Sequence, residues 1–457
     1  MTPIKPRRGT PHARAFLVAL SLALASWLGS ESVADDGPAP VIRLSLTEAI
    51  ERARVASARL AQVRAVQSGA EAALRGARAA RLPQLDAVAS YTRNSGVPEL
   101  TITAPGLGTR TLFPNLPDAY RTRAQVALPL FTGGRLTAAI DAAREQHAAA
   151  GLDAEGAGKD LVLEVTTAYL SLVTARESDR VVGEALATYD AHLRDARNRL
   201  AQGLAARNEL LAVQVERDRA ELARLQAGNL ASVANANLLR LTGLPPDGSL
   251  DPTELLDAPA PGEATSEPGA LLAEATGRRP ELLSLGARVA AAEAAVKTTR
   301  SLAYPQVSLN AAYDYANPNS RVMPLEAEWK GTWSLGVNLA WTAFDGGRTA
   351  AAVAQSRAQA DALRHQLEDL SRRVGLEVRI RILDLGTARA ALGVAERTLE
   401  SARENQRVSG DRYREGVAAS SDLLDAETAL LRAGLDHTSA RAQLRLAQAQ
   451  LDRALGR

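Results

Sequence analysis

The chain holds 457 residues, with 54 Lys and Arg against 52 Asp and Glu, no Cys, and only 4% aromatic side chains. Alanine dominates the apolar fraction, which excludes a thick globular core and favours helices packed closely side by side, Ala being the best helix former. Balanced charge excludes the basic footprint of a nucleic-acid binder, and the lack of Cys excludes a disulfide framework and a lipid-modified N-terminal Cys.

Residues 1–34 carry Lys5, Arg7, Arg8 and Arg14, an apolar run from Ala15 to Leu28, and Ser32-Val33-Ala34 before Asp35-Asp36. This is the layout of a secretory signal peptide cut after Ala34; the run is shorter than the roughly 20 residues a membrane anchor needs. Without the leader, 50 basic and 51 acidic residues remain, a formal charge near −1. Export without disulfides fits a bacterial envelope protein.

Ser45-Leu46-Thr47-Glu48 is a capping box that opens the first helix. A weakly apolar strand is expected over Leu85 to Arg93. Ser95 to Asp118, with Pro98, Pro105, Gly106, Gly108, Pro114 and Pro117, reads as a loop. A second strand follows, with Tyr120, Thr122, Ala124, Val126, Leu128 and Leu130 on one face. No Pro occurs between Pro129 and Pro245. A rod of about 67 residues, roughly 100 Å at 1.5 Å per residue, is expected from just after Gly134-Arg135 to just before the helix-stop Gly203. A returning helix runs from Asn208 to Leu241. Gly151, Gly156 and Gly158 make a local kink in the rod the expectation.

After the Pro- and Gly-rich linker the chain repeats itself. Phe131-Thr132-Gly133-Gly134-Arg135 returns 213 residues later as Phe344-Asp345-Gly346-Gly347-Arg348, and Arg199-x-x-x-Gly203 returns as Arg412-x-x-x-Gly416. Upstream of the strands the offset is 222, pairing Glu71-Ala72-Ala73 and Pro83-Gln84 with Glu293-Ala294-Ala295 and Pro305-Gln306. Rigid packed elements resist insertions and loops accept them, so the nine extra residues of the first copy belong between Pro83 and Phe131. The expected division is a signal peptide 1–34, repeat 35–243, linker 244–267 and repeat 268–457.

The second copy contains two segments of period two. Val307, Leu309, Ala311, Tyr313 and Tyr315 alternate with polar or small residues, as do Trp333, Leu335, Val337, Leu339 and Trp341. An apolar face bracketed by aromatics is the signature of a transmembrane β-barrel strand, with Trp333, Trp341 and Tyr120 as girdle residues. A soluble sheet with one buried face is the alternative, but leaves Trp at both ends unexplained. Four strands cannot close a barrel and open edges cannot survive in lipid, so oligomerisation is required. Along the second rod, Leu376, Ile380, Leu383, Thr387, Ala391 and Val394 mark a packed seam, matched by Leu163 to Val181 in the first.

The order of strands, rod and hairpin, repeated with these Phe-x-Gly-Gly-Arg motifs, Arg279 to Leu282 and the segment from Tyr413 to Ala426, resembles the TolC-like outer-membrane efflux protein family. The resemblance spans essentially the whole mature chain. It implies a mainly α protein with a transmembrane β part: long helical hairpins forming an α-barrel tunnel, and four strands per chain in a trimeric 12-stranded β-barrel. It implies a homotrimer in the outer membrane of a Gram-negative bacterium, extending into the periplasm. Its expected partners are outer-membrane lipid, a periplasmic adaptor and an inner-membrane pump. The expected role is a passive exit duct for tripartite efflux or type I secretion of small molecules or polypeptide. A periplasmic coiled-coil adaptor or scaffold is the alternative.

The same resemblance makes the hairpin turns adaptor-docking tips, at Arg199, Gly203, Leu204 and Ala205 and at Arg412, Gly416, Val417 and Ala418. It places a pore constriction at Asp422 and Asp425, with Glu209 at the position equivalent to Asp422; a solvated helix face is the alternative for these acids. Position 418, where a basic gate-locking residue is absent, is a departure from the family pattern. No enzyme is expected: His12, His147, His192, His365 and His437 are scattered without ligand spacing, and no nucleophile motif or phosphate loop is present. No metal or other cofactor is expected.

Overall fold

The computed structural model describes residues 41–106, 108–254, 256 and 267–457. The signal peptide expected over 1–34 lies outside the described residues, as does part of the expected linker.

Each half begins with an interrupted helix. In the first, β1 (Val41–Leu44) leads into α1 (Leu46–Ala56) and α2 (Ala58–Ala79). The capping box forms: the Glu48 N–H donates to Ser45 Oγ at 3.2 Å, and the Ser45 N–H to Glu48 Oε2 at 3.1 Å. Ser57 breaks the helix with extended backbone and caps its continuation through the Leu60 N–H. In the second half, α5 (Pro268–Arg278) and α6 (Pro280–Arg300) break at Arg279, 222 residues after Ser57, where Pro280 takes the first helical position.

Two rods of identical length follow, α3 (Arg135–Ala201) and α7 (Arg348–Arg414), 67 residues each, or about 100 Å. Each starts after a pair of glycines with left-handed φ, Gly133 and Gly134 or Gly346 and Gly347. Gly133 is doubly constrained, because a Cβ there would stand 2.7 Å from Cβ of Tyr304. The rods return as α4 (Arg207–Thr242) and α8 (Ser420–Ala454). α3 is helical without a break through Gly151, Gly156 and Gly158. Two of these glycines admit neighbours: a Cβ on Gly156 would meet Pro280 at 3.5 Å, and one on Gly151 would meet Gln67 at 3.4 Å.

The two halves build matching cores. The first packs Ala49, Ala53 and Leu60 against Val165, Leu172 and Leu238, and the second packs Leu271, Ala275 and Leu282 against Val378, Leu385 and Leu451. The first three pairs are separated by 222 residues and the last three by 213, so both offsets are written in buried side chains. The first core also contains a parallel pair that the sequence reading misses, β1 with β6 (Ser249–Pro252), within the expected linker. Tyr169, buried beneath it, donates to the Leu44 carbonyl and accepts from the Glu254 N–H, both at 3.1 Å.

The main sheet has the antiparallel order β2 (Gln84–Arg93), β5 (Asp118–Phe131), β7 (Gln306–Asn317), β8 (Lys330–Ala340). The four expected strands are all present. The expected loop between 95 and 118 instead contains a separate hairpin, β3 (Leu100–Ala104) with β4 (Gly108–Phe113). Leu100 and Ile102 alternate with Thr101 and Thr103, and the turn carries Gly106 and Gly108 at φ +86° and +77°. Proline density masked this short alternation.

The stripe expected to be packed behaves otherwise within one chain. Leu376, Ile380, Leu383 and Val394 are exposed, and Val374, Val378, Leu385 and Ala388 form the buried face of α7. On α4, Leu211, Val215, Leu222, Leu225 and Leu230 are likewise exposed. Periodicity identified an apolar face, but it is not the buried face of α7.

Candidate functional site

The sheet sorts its residues by face. Cross-strand register aligns Tyr91 with Tyr120, Thr122 with Tyr315, Ala124 with Tyr313 and Tyr313 with Trp333, and then Val126, Ala311 and Leu335 in a row. These side chains share one face because register and alternation agree. Trp333, Leu335, Val337 and Leu339 are 64–74% exposed. Tyr120 lies in an aromatic group at the end remote from the rods, 5.0 Å from Tyr91 and 6.0 Å from Trp329, which stacks on Tyr315 at 5.0 Å. Trp341 sits at the rod end, donating to the Ala303 carbonyl at 3.2 Å. Sequence reading missed Tyr91 and Trp329; Trp329 lies just before β8, outside any alternation.

The opposite face is polar. Arg123 grips Asp314 with both fork nitrogens at 2.8 Å, and Arg121 stands 3.7 Å from the same carboxylate. Asn310 and Asn338 continue this face toward the rods. Strands β2 and β8 have no partner on their outer edges among the described residues.

At the far end of the rods the chain makes two tips. Gly203 at φ +73° and Gly416 at φ +76° end the rods, and the N–H groups of Leu204 and Val417 reach back to the carbonyls of Arg199 and Arg412 at 2.8 and 2.9 Å. These are Schellman turns, which satisfy carbonyls a helix end leaves orphaned. Leu204 and Val417 project at the apices, 73% and 67% exposed, and Ala205 and Ala418 follow, half-buried. Arg412 is exposed, whereas Arg199 is committed within the chain. Its guanidinium lies 4.2 Å above the Tyr413 ring, donates to the Tyr413 carbonyl and pairs with Asp195. Burial pushes the Tyr413 phenol up, and the Arg199 cation opposes it.

Asp422 and Asp425 stand exposed in the first two turns of α8, and Glu209 is half-buried in the first turn of α4. Acids near a helix N-terminus are also favoured by its dipole. Between the two hairpins, sequence reading missed His192. This residue of α3 is buried, with Nδ1 3.0 Å from Glu427 Oε2 and Nε2 3.1 Å from Ser420 Oγ. Partners 235 and 228 residues away leave no local signal.

A third cluster joins the halves where α3, α6, α7 and α8 meet. Arg453 donates to Asp160 at 2.8 Å and to Glu281, while Arg279 pairs with Glu377 and stands 3.6 Å from Glu281. Burial works against ionisation of Glu281, yet the Arg453 hydrogen bond and the arginine charges hold its carboxyl below the usual range.

No helix among the described residues is long and apolar enough to cross a membrane. No group of three or more His, Cys, Asp or Glu among the described residues has metal-binding geometry.

Comparison with known proteins gives concordant results. The profile of the family described as outer membrane efflux protein matches residues 49–244 and 271–457. Protein CyaE of Bordetella pertussis is 28% identical over 327 residues, 70% of this chain and 67% of its own length. Outer membrane protein TolC of Vibrio cholerae is 23% identical over 418 residues, 90% of each chain. The crystal structure of the outer membrane protein VceC from Vibrio cholerae superposes with a TM-score of 0.74 at 22% identity, covering 90% of this chain and 96% of that one. At that identity the likeness shows the fold.

Proposed function

The chain belongs to the outer membrane efflux protein family, and from that premise we propose that it is a passive exit duct of a tripartite efflux pump or type I secretion system. It lies in the outer membrane and extends into the periplasm, and it is a channel, not an enzyme. The observation that carries the reading is one sheet with an exposed aromatic-bounded apolar face and two unpaired edges, continued by two 67-residue rods. Open edges are intolerable in hydrocarbon, so β2 of one copy pairs with β8 of the next. Three copies give a twelve-stranded barrel whose inner face carries Arg121, Arg123 and Asp314. The exposed stripes of α4 and α7 meet between neighbouring chains. Repeats 35–243 and 268–457 each supply two strands and one hairpin.

Within this assembly the apices Leu204 and Val417, with Arg412 and the turns at Gly203 and Gly416, form the surface offered to a periplasmic adaptor. Arg199 backs that surface by holding Tyr413. Asp422 and Asp425, joined by Glu209, line the constriction, where converging carboxylates favour cations. The adaptor or scaffold alternative has no use for a lipid-facing aromatic sheet. The test is to fractionate cells expressing the full chain and reconstitute the purified protein in planar bilayers. Outer-membrane recovery and trimers with stable single-channel currents are expected; recovery in the soluble periplasm, or no conductance from intact trimers, refutes the duct.

A further inference from the structure

We propose that His192 is a positioning residue that sets the rotation of the acid-bearing helix α8, and thereby aims Asp422 and Asp425 into the aperture. The proposal rests on reading those two acids as the constriction.

The argument is angular. At 3.6 residues per turn, Ser420 and Glu427 are two turns apart and share one side of α8 within about 20°. Asp422 and Asp425 fall roughly 140–200° round from Ser420, on the opposite side. His192, on the neighbouring rod, holds the first side at two heights, donating through Nδ1 to the Glu427 carboxylate and sharing a hydrogen bond with the Ser420 hydroxyl through Nε2. One contact would permit α8 to pivot, whereas two contacts separated by two turns fix its azimuth. They bracket the acidic pair along the axis, so the hold acts where aim matters.

Burial makes the hold stiff. The side chains of His192 and Glu427 are 2% and 5% exposed, so water cannot substitute for a lost partner, and a buried polar group left unpaired is costly. Tyr413 closes the site edge-on, 5.3 Å from the imidazole, under the Arg199 guanidinium. Apolar packing alone would leave the azimuth loose: Leu424, Ala426 and Leu423 offer smooth surface, and sliding costs less than breaking a hydrogen bond to a charged group. The polar grip thus has a task that a merely adhesive contact between the halves lacks.

The experiment measures reversal potentials of full-length trimers in planar bilayers under a KCl gradient, with thermal stability recorded in parallel. Asp422→Asn with Asp425→Asn is expected to abolish cation preference; if it does not, the constriction reading fails and the proposal with it. Given that loss, His192→Ala is expected to cut the cation-to-anion permeability ratio by at least about fivefold, the population change that losing just one of its two hydrogen bonds at average strength produces. His192→Gln, which reaches Ser420, and His192→Asn, which reaches Glu427, are each expected to restore part of the ratio. Intact His192→Ala trimers with the parental ratio overturn the proposal, as does a ratio that follows thermal stability across the variants. If His192→Ala yields no trimers, Ser420→Ala makes the same decision by removing one contact and keeping the imidazole.

Discussion

Replacing Arg453 by Met tests whether a buried ion cluster holds the two halves together. Arg453 reaches from α8 to Asp160 on α3 and to Glu281 in the first turn of α6, and its side chain is 10% exposed. Met keeps the aliphatic stem, so the loss is the charge and its hydrogen bonds. Removing one partner of a fully buried pair costs about 3–5 kcal/mol, chiefly through the charge left behind. Asp160 and Glu281 are 43% and 37% exposed, so water recovers part of this and about 2–3 kcal/mol remains. Unfolding entropy near 2.1 cal/mol/K per residue comes to about 1 kcal/mol/K for this chain, which gives a fall of about 2–3 °C in melting temperature. In a trimer lesion and entropy both triple, and the shift is unchanged. Calorimetry of detergent-solubilised protein reads it directly. The variant that also carries Asp160→Asn and Glu281→Gln is expected to melt higher than Arg453→Met alone, because neutralising both acids with the arginine leaves neither carboxylate without its partner, while Arg279 keeps Glu377. A single variant that melts with the parent, or a triple variant that melts lower still, refutes the reasoning.

Four further outcomes are expected. Leu335→Arg on the apolar sheet face should cost about 2–4 kcal/mol per chain and deplete membrane-assembled trimers, whereas Ser334→Arg on the polar face should assemble normally; equal assembly on semi-native gels would overturn the face assignment. Leu383→Asp on the exposed α7 stripe should abolish trimers while helicity by circular dichroism is retained, and trimers of normal yield would show that the stripe faces no neighbour. Gly133→Ala should destabilise more than Gly134→Ala, since both strain a left-handed backbone but only the first drives a Cβ into Tyr304; calorimetry showing equal losses counts against that contact. The folded carboxyls of Glu281, Glu274 and Glu177 lie below 4.5: burial opposes the first but Arg453 outweighs it, and Arg457 and Arg180 hold down the other two. A depressed acid contributes its full stability above the unfolded value and loses it as pH falls through the folded one. Melting temperature should therefore be flat above pH 4.5 and decline below it, and a decline beginning near neutrality would implicate other groups.

Rod length, tips and sheet faces were legible in the sequence for a shared reason. A helix that must match its neighbours over about 100 Å cannot absorb an insertion, and a strand exposing one face to lipid must alternate. Both constraints are local and periodic. The pairs β1–β6 and β3–β4 are short, and the second hides among prolines. The contacts of Arg453 with Asp160 and Glu281 and of His192 with Glu427 and Ser420 span 172 to 293 positions, so no window of sequence contains them. The apolar stripe on α7 was visible, but not that it lies outside the chain's own core, because periodicity marks an apolar face without saying what covers it.

The duplication also gives the His192–Glu427 contact a neutral counterpart in the other copy. Within a chain, α3 packs on α8, and shifting both by one repeat gives α7 packing on α4 of the neighbouring copy in the proposed trimer. His192 and Glu427 occupy the first seam, while the residues 213 positions away are Asn405 and Gln214. Those two are exposed in the single chain, whereas His192 and Glu427 are buried, as a seam completed only by assembly requires. At these two positions the copies have diverged, although core positions such as Val165 and Val378 or Leu172 and Leu385 are kept. Of the six pseudo-equivalent seams around the tunnel, three thus carry a buried His and Glu at these positions and three carry Asn and Gln. The charged contact lies where both partners fold together in one chain. Neutral side chains at the matching positions suit surfaces that must first exist in water as separate chains, since a buried charge left unpaired there would oppose assembly.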